Sequence, residues 1–407
     1  MRPLWSRGRL FLLSAVLLLL LAGYGAPSAS AVTPGPTVSP SPEPAPVTVT
    51  MVAGGDVIPH AELMAGASVG KEAWDFVPIF DPVAEIIAEA DYAFCTLETP
   101  VCWPYDFYPQ FSSPEDLPRD LRDVGFDMFC LASNHCCDRR YRGIVSTLDT
   151  LDRLGVDHTG IYRTREERDQ DRGLLFTEVN GIRFAFLNYT DSTNQYRMPG
   201  QEYVVKTFYA DFWNKVPREL LYEDIEQDIL YARESGADIL IAVCHWGKEF
   251  SLEPMEYQRE LADFMLQRGV DIIIGSHPHV PECAESRVIV GEDGTERTGY
   301  VFYSLGNFIS AMANPAGEIT PLVEMRFQRD PLTEDVTIED VSYRPLYRVW
   351  DKGSAQPFRL VDMDDVSGAW SAGTAPGWMS GWHFDAISQA REQLLSIVGE
   401  ELYAGKN

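Results

Sequence analysis

From residue 47 onward, apolar runs of strand length alternate with stretches whose apolar residues recur at helical spacing. VTVTMVAGG (47–55) predicts a buried strand running into a glycine turn. Residues 78–90 carry apolar positions at helical spacing, and YAFCTLE (92–98) returns to a strand. Ser113-Pro114-Glu115-Asp116 predicts a helix start, with Ser113 as cap and Pro114 at the first helical position. FDMFCLAS (126–133) predicts a strand and 140–154 a helix. RFAFLNY (183–189), DILIAVCH (238–245) and DIIIGSH (271–277) supply three more strands, the last two separated by a helical pattern over 254–268. After Arg287 the pattern changes. Residues 287–308 contain a glycine turn between strands, LVEMRF and VTIEDVSY add further strand, and a helical pattern returns over 384–399. This order predicts an α/β fold with helices packed over a mostly parallel or mixed sheet. The second half reads as more of that sheet, not a separate domain, and no internal repeat interrupts it.

The first 46 residues break this pattern. Arg2, Arg7 and Arg9 precede an apolar run from Leu10 to Ala22, and small residues ending Ala29-Ser30-Ala31 follow. That order of charge, apolar stretch and small residues is an export signature, and the run is shorter than the ~20 residues of a spanning helix. Residues 1–31 are therefore expected to be a cleaved signal peptide, with a retained N-terminal anchor as the rival. Residues 32–46 are almost all Pro, Ser, Thr, Gly and Ala and predict an extended spacer. The domain is expected over 47–407, outside the cytoplasm, either secreted or held at the membrane by the N-terminal segment.

Composition narrows the partners. Sixty-one acidic against 33 basic residues give a net charge of −28, which repels nucleic acid and excludes it as a partner. A phosphate substrate stays possible, because bound divalent cations reverse the local sign. The seven cysteines are odd in number. Cys95, Cys130 and Cys244 sit in strand-like runs as small hydrophobes, and no particular bridge is predicted among the others.

The chemistry lies where the apolar runs stop. Asp56, Glu98, Asn134-His135, His245, and His277 with His279 each stand at a predicted strand end. Carboxyl ends of strands in an open α/β sheet gather at one rim, so these side chains are predicted to converge. Carboxylate, imidazole and amide oxygen together suit divalent Mn, Zn or Fe. A two-metal centre needs a bridging carboxylate, and a histidine beside a ligand, as His135 is beside Asn134, can protonate a leaving oxygen.

Asn134-His135 and Gly275-Ser276-His277-Pro278-His279 resemble the signatures of the metallophosphoesterase (calcineurin-like) superfamily. The finer resemblance is to the capsule synthesis protein CapA family, associated with poly-γ-glutamate. It is carried by GGDVIPH (54–60), TLETP (96–100), FSSP (111–114), LASNH (131–135), YTDSTN (189–194), CHWGKEF (244–250), GSHPHV (275–280) and YSLGNFIS (303–310). The resemblance implies a metallophosphoesterase-like mixed β-sheet sandwich flanked by helices, in αββα layers. It implies that Asp56, His60 and His279 hold one ion, that Glu98 bridges, and that Asn134, His245 and His277 hold a second. His135 becomes the acid or charge-stabilising group, and Glu249 and Asn307 orient ligands or face substrate. The implied partners are an anionic polymer or phosphoester and membrane-associated capsule synthesis proteins.

The sequence departs from the wider pattern in places. Ile58 stands where the superfamily has a histidine, so His60 is expected to substitute. Glu98 replaces a shorter aspartate, and Thr96 stands where the family usually has asparagine. Trp246 is expected to pack beneath the site or, if exposed, to stack on substrate, and Phe250 to pack there too. Tyr303 and Phe308 are expected in the core. Asn188 and Thr190, at another strand end, are candidate substrate contacts, and Glu72, Glu85 and Glu89 read as solvated charge. Three readings follow: a metal-dependent hydrolase of phosphate esters, an envelope component handling an anionic polymer without turnover, and a binding module that keeps only the rim.

Overall fold

Strand β1, Val47–Val57, shows why an almost unbroken apolar run forms a strand here. Val49, Met51 and Ala53 enter one buried core while Val52 and Val57 enter another, so both faces of the strand are covered. The computed structural model containing it describes residues 45–194, 196, 198–209, 219–291, 294–314 and 316–406. The expected export segment 1–31 and nearly all of the 32–46 spacer lie outside the described residues.

Next along the chain come β2 (Tyr92–Leu97), β3 (Met128–Cys130), β4 (Asp157–Thr159), β5 (Leu175–Val179), β6 (Ile182–Thr190), β7 (Ile239–His245) and β8 (Ile272–Ser276); β2, β3, β6, β7 and β8 repeat the two-sided burial, while β4 and β5, at sheet edges, are only partly covered. Beyond them come β9 (Ala284–Val290), β10 (Glu296–Phe302), β11 (Asn307–Ile309), β12 (Ile319–Arg329), β13 (Val336–Trp350) and β14 (Phe358–Asp362). Two mixed sheets result. The first runs β14-β13-β12-β1-β2-β3-β4, with β11 also paired to β1, and the second runs β9-β10-β8-β7-β6-β5. β1 to β4 are mutually parallel, as are β6, β7, β8 and β10, while β12 to β14, β5 and β9 pair antiparallel.

The sheets face one another. Phe94 of β2 meets Phe186 of β6 edge-to-face at 5.3 Å, and Phe184 meets Phe327 of β12 at 5.0 Å. On the outer faces lie α1 (Asp116–Val124), α2 (Arg140–Leu154), α3 (Tyr222–Glu234) and α4 (Glu256–Arg268), whose Leu117, Leu121, Ile144, Leu148, Ile225, Ile229, Leu261 and Met265 join the outer core. Helix α5 (Gly381–Val398) packs Ile387 and Leu394 into the core shared by the sheets. The arrangement is helix, sheet, sheet, helix, as the family resemblance implies.

Local differences have local causes. The helical pattern over 78–90 is broken into Val77–Phe80, a 3-10 turn Asp81–Val83 and Ala84–Ala88, because Pro78 and Pro82 each withhold an N–H. Ser113 does not cap a helix. Its backbone bridges Val101 and its N–H donates to Pro100 O (2.8 Å), so α1 starts later, after Glu115. The 126–133 strand shortens to β3. The helix Met363–Ser371, unforeseen, starts where Asp362 accepts from the Asp364 and Asp365 amides. All seven cysteines are free thiols.

Candidate metal centre

Asp56 stands at the end of β1, Glu98 directly after β2, Asn134 after β3, His245 at the end of β7 and His277 directly after β8. All five strands run parallel within their sheet, so their carboxyl ends meet at one rim spanning both sheets. Asn307, opening β11, lies opposite Asp56 in the register. The turn after β8 is held in place by Asp56, whose Oδ2 accepts from the His277 N–H (2.9 Å). His277 and His279 have φ of 98° and 61°, left-handed values that non-glycine residues avoid. The turn thus stores strain to aim two imidazoles inward.

Two groups of donor atoms form, and Glu98 belongs to both. Glu98, His245 and His277 make one group, and Asp56, Glu98 and His279 the other. In the first, His245 Nε2 lies 3.1 Å from Asn134 Oδ1, 3.2 Å from His277 Nδ1 and 3.6 Å from Glu98 Oε1. Ligands ~2.1 Å from one ion stand ~3.0–3.4 Å apart, so this spacing matches a coordination shell. In the second, His279 Nδ1 lies 3.9 Å from Glu98 Oε2, 4.0 Å from Asp56 Oδ2 and 3.1 Å from Asn307 Oδ1. Each oxygen of Glu98 therefore faces a different group. The longer glutamate stem in place of aspartate does not prevent it from reaching both.

His60 is the correction. It belongs to neither group; its ring lies edge-on to Phe111 (5.3 Å) and its Nδ1 accepts weakly from the Ala311 N–H (3.4 Å). His60 is the N-cap of the short helix Ala61–Gly66, and its ring is engaged by Phe111 and Ala311. The further oxygen close to the second group is Asn307 Oδ1, 3.1 Å from His279 Nδ1.

Electrostatics set these groups apart from an ordinary polar cluster. Asp56, Glu98 and His245 are wholly buried. Among the described residues, Asp56 Oδ1 and both oxygens of Glu98 have no hydrogen-bond partner. Burial pushes the Asp56 carboxyl up to about 6, against the pull of His279 and the His277 amide. Burial, then the neighbouring Asp56 and Glu249, push Glu98 well above its usual range. Burial holds His245 and His277 far below the ordinary imidazole value and brings His279 down to about 3. Neutral imidazoles facing unpaired buried carboxylates are what a cation requires and what an apo core penalises by several kcal/mol per uncompensated charge, on the order given for buried ions. The donor set fits a metal site.

Around it stand residues to which the sequence reading gives no role. Asp138 Oδ2 accepts from His135 Nδ1 (2.7 Å) and from the Phe111 N–H (2.7 Å), and the other His135 nitrogen, Nε2, lies 4.0 Å from Glu98 Oε1. Asn194 reaches His135 and Asn134 at 3.4 and 3.5 Å. Ser276 Oγ pairs with His245 Nδ1 (2.9 Å), fixing that ring so that Nε2 faces the centre. Asp138 had one legible signal: it follows His135 by three residues, the reach of a single turn.

Other expectations are revised. Asn188 is no substrate contact: buried, it accepts from the Ala132 N–H (2.8 Å) and donates to Val243 O (3.1 Å), stapling the two sheets together. Thr190 is likewise buried. Trp246 offers no face for stacking. It is fully buried between Phe208 and Tyr303, at 5.7 and 6.3 Å, and its Nε1–H donates to Tyr303 O. Phe250, expected beneath the site, is instead half exposed beside His279 (6.0 Å). Glu249 is exposed at the lip, close enough to influence Glu98. Tyr303 and Phe308 are core, and Glu72, Glu85 and Glu89 are exposed.

Comparison with known proteins places this chain in context. The family described as "Bacterial capsule synthesis protein PGA_cap" matches residues 50–312. The capsule biosynthesis protein CapA of Bacillus anthracis is 25% identical over 306 residues, covering 72% of this chain and 69% of that protein. The PGA biosynthesis protein CapA of Bacillus subtilis is 28% identical over 237 residues, covering 57% of this chain and 56% of that protein, so the likeness spans little more than half of that relative. Among solved structures, a 5′-nucleotidase precursor from Thermus thermophilus is 14% identical, covering 86% of this chain and 59% of its own, with a TM-score of 0.41. The calcineurin-like phosphoesterase YfkN from Bacillus subtilis is 12% identical, covering 86% of this chain and 99% of its own, with a TM-score of 0.40.

Proposed function

Because the chain belongs to the bacterial capsule synthesis protein PGA_cap family, with residues 50–312 matching it, we propose that it is an exported, metal-dependent phosphoesterase-like protein acting in the synthesis or release of poly-γ-glutamate or a related envelope polymer. The observation that carries this reading is Glu98. Its two buried oxygens, hydrogen-bonded by none of the described residues, face two different sets of donors, so Glu98 would be the carboxylate shared between two ions. Asn134, His245 and His277 would hold one divalent ion, Asp56 and His279 with Asn307 the other, and Mn, Zn or Fe suits the donors. Such ions supply Lewis-acid polarisation of a phosphoryl oxygen and lower the pKa of water.

The chain's own groups do the rest. His135 keeps Nδ1 on Asp138, so Nε2, on the side of Glu98, is the atom that delivers a proton to a leaving oxygen. Asp138 fixes that tautomer and supports the charged imidazole. Asn194 limits how far the ring can swing. Substrate would enter past Phe250 and Glu249 at the lip. Export by the N-terminal segment would place this chemistry outside the cytoplasm, where membrane-associated capsule synthesis proteins are partners of matching location.

A second reading keeps the ions and drops the turnover: an envelope component that grips polymer carboxylates during assembly or export. The CapA relatives are named as biosynthesis proteins, not hydrolases, which favours it. Hydrolysis of a generic aryl phosphate by the Mn- or Zn-loaded chain separates the two. Turnover that disappears in His135→Ala supports the hydrolase. Firmly retained metal with no turnover on any phosphoester leaves the polymer-handling reading.

A further inference from the structure

Directly behind His245 lies a closed ring of hydrogen bonds that no step above uses. The His245 carbonyl accepts from the Asp191 N–H (3.0 Å), Asp191 Oδ2 accepts from the Tyr257 hydroxyl (2.9 Å), and the Tyr257 oxygen accepts from the Gly247 N–H (2.6 Å). The backbone from Gly247 through Trp246 to His245 completes the ring. Through one oxygen atom, Tyr257 grips the turn that carries His245 from both of its ends.

The partners belong to different elements, and each is held by its own. Asp191 follows β6, whose last residue, Thr190, stands beside His245 in the register. Tyr257 lies in the first turn of α4, which packs Leu261 and Met265 into the outer core. Gly247 has a φ of 101°, and a Cβ added there would stand 2.9 Å from Gln258 Oε1, so only glycine lets the turn come this close to α4. Gln258 cannot swing aside: it is wholly buried and accepts from the Met255 N–H (2.8 Å).

A buried carboxylate in this place is costly. Asp191 is only 7% exposed, and an apolar contact would hold the turn without taking a charge out of water. What the polar ring adds is direction, because hydrogen bonds fix distances and angles where apolar contacts slide. Burial, then Asp191, hold the Tyr257 hydroxyl well above its ordinary range, so it keeps the proton it donates. His245 needs such control. Its Nε2 stands 3.1 Å from Asn134 Oδ1 and 3.2 Å from His277 Nδ1, and a site built this tightly tolerates a shift of only about 0.5 Å. None of the bonds in the ring involves Asp56 or His279.

We propose that Tyr257 is a positioning residue for one half of the metal centre. Acting through Asp191 and Gly247, its hydroxyl fixes where His245 Nε2 stands, and so sets the affinity of the ion held with Asn134 and His277 but not of the ion held by Asp56 and His279. That ions bind there rests on the functional reading above; the placement of His245 does not.

The test has two readouts on the full chain, wild type beside Tyr257→Phe. In calorimetric titration with Zn, the variant is expected to lose about 10–100-fold in affinity for one ion and to keep the other within about twofold, as loss of an outer hydrogen-bond partner does. In the metal-free chain, nitrogen-15 NMR of the histidine rings, with His245 assigned by His245→Gln, is expected to show the His245 signals shifted and broadened and those of His279 unchanged. Asp191→Ala is expected to reproduce the selective loss, and Asp191→Asn, which still offers Tyr257 an acceptor, to restore most of it; this pair decides if Tyr257→Phe fails to fold. Unchanged affinity for both ions overturns the proposal, and so does equal weakening of both, the mark of a merely structural role. A wild type that binds no Zn sinks the functional reading instead, and the NMR comparison then decides alone: unmoved His245 signals in Tyr257→Phe overturn the proposal.

Discussion

Asp138 grips His135 from behind, and the consequence is a division of labour within one side-chain pair. With Nδ1 committed to the Asp138 carboxylate at 2.7 Å, only Nε2 is available for proton transfer. Asp138→Asn preserves the contact but favours the wrong tautomer, so turnover of an aryl phosphate is expected to fall by about 10²–10⁴-fold, the range for losing an acid or its orienting partner, with KM little changed. Steady-state kinetics on the metal-loaded protein check this. Asn307→Ala removes the oxygen 3.1 Å from His279 Nδ1 and is expected to weaken metal affinity by about 10–100-fold, measured by competition with a chromogenic chelator. At this scale the sequence was readable where a side chain ends a strand, because strand direction dictates where it points. Asp56, Glu98, Asn134, His245 and His277 belong to that class. His60 does not: after Ile58-Pro59 the chain turns into a helix, and spacing alone carries no information on which way a turn swings a ring. Asn188 ends a strand as well, yet two backbone partners hold it in the interior.

The elements press against one another most closely just behind the metal centre. A Cβ on Gly275 would stand 1.8 Å from Tyr303 O, and one on Gly55 would stand 2.1 Å from Gly306 O. The carbonyl of Tyr303 also takes the Trp246 Nε1–H, so β8, the turn after β7 and the segment before β11 share one anchor. Gly275→Ala is therefore expected to cost ~1–3 kcal/mol or more, seen as a lower thermal midpoint, and to reduce metal content because His277 is displaced along with Ser276. Regular elements were legible where their apolar pattern was long: β1, β7, β8, α2 and α4 lie where the periodicity puts them. The pattern over 78–90 failed because proline overrides apolar spacing. The proposed cap at Ser113 failed because a backbone bridge to Val101 competes for the same residues.

Across the whole molecule, stability also depends on a buried carboxyl group that the metal centre does not use. Glu282 accepts from Gln258 Nε2 (3.0 Å) while Oε1 has no partner among the described residues, and burial pushes its pKa from 4.5 up to about 8. The folded chain holds this proton more tightly than the unfolded chain does. Its stabilising effect is complete below pH 4.5 and lost as pH rises through about 8. Glu282→Gln is expected to be as stable as the wild type at about pH 4 and more stable at about pH 9, by an amount on the order of a few kcal/mol. Denaturant melts at the two pH values check the sign. The alternation of strand and helix patterns made an α/β fold with a mixed sheet legible, whereas the division into two facing sheets came only from the family resemblance, because apolar periodicity does not say which strands pair.

All of the proposed chemistry depends on Glu98 bridging two cations. Elemental analysis of the chain after loading with Mn or Zn and removal of free metal, beside Glu98→Gln treated identically, tests that directly. The account expects two equivalents of metal per wild-type chain, and at most one, loosely held, in the variant. A correctly folded wild-type chain that keeps less than one equivalent, or a variant that keeps two, would contradict it.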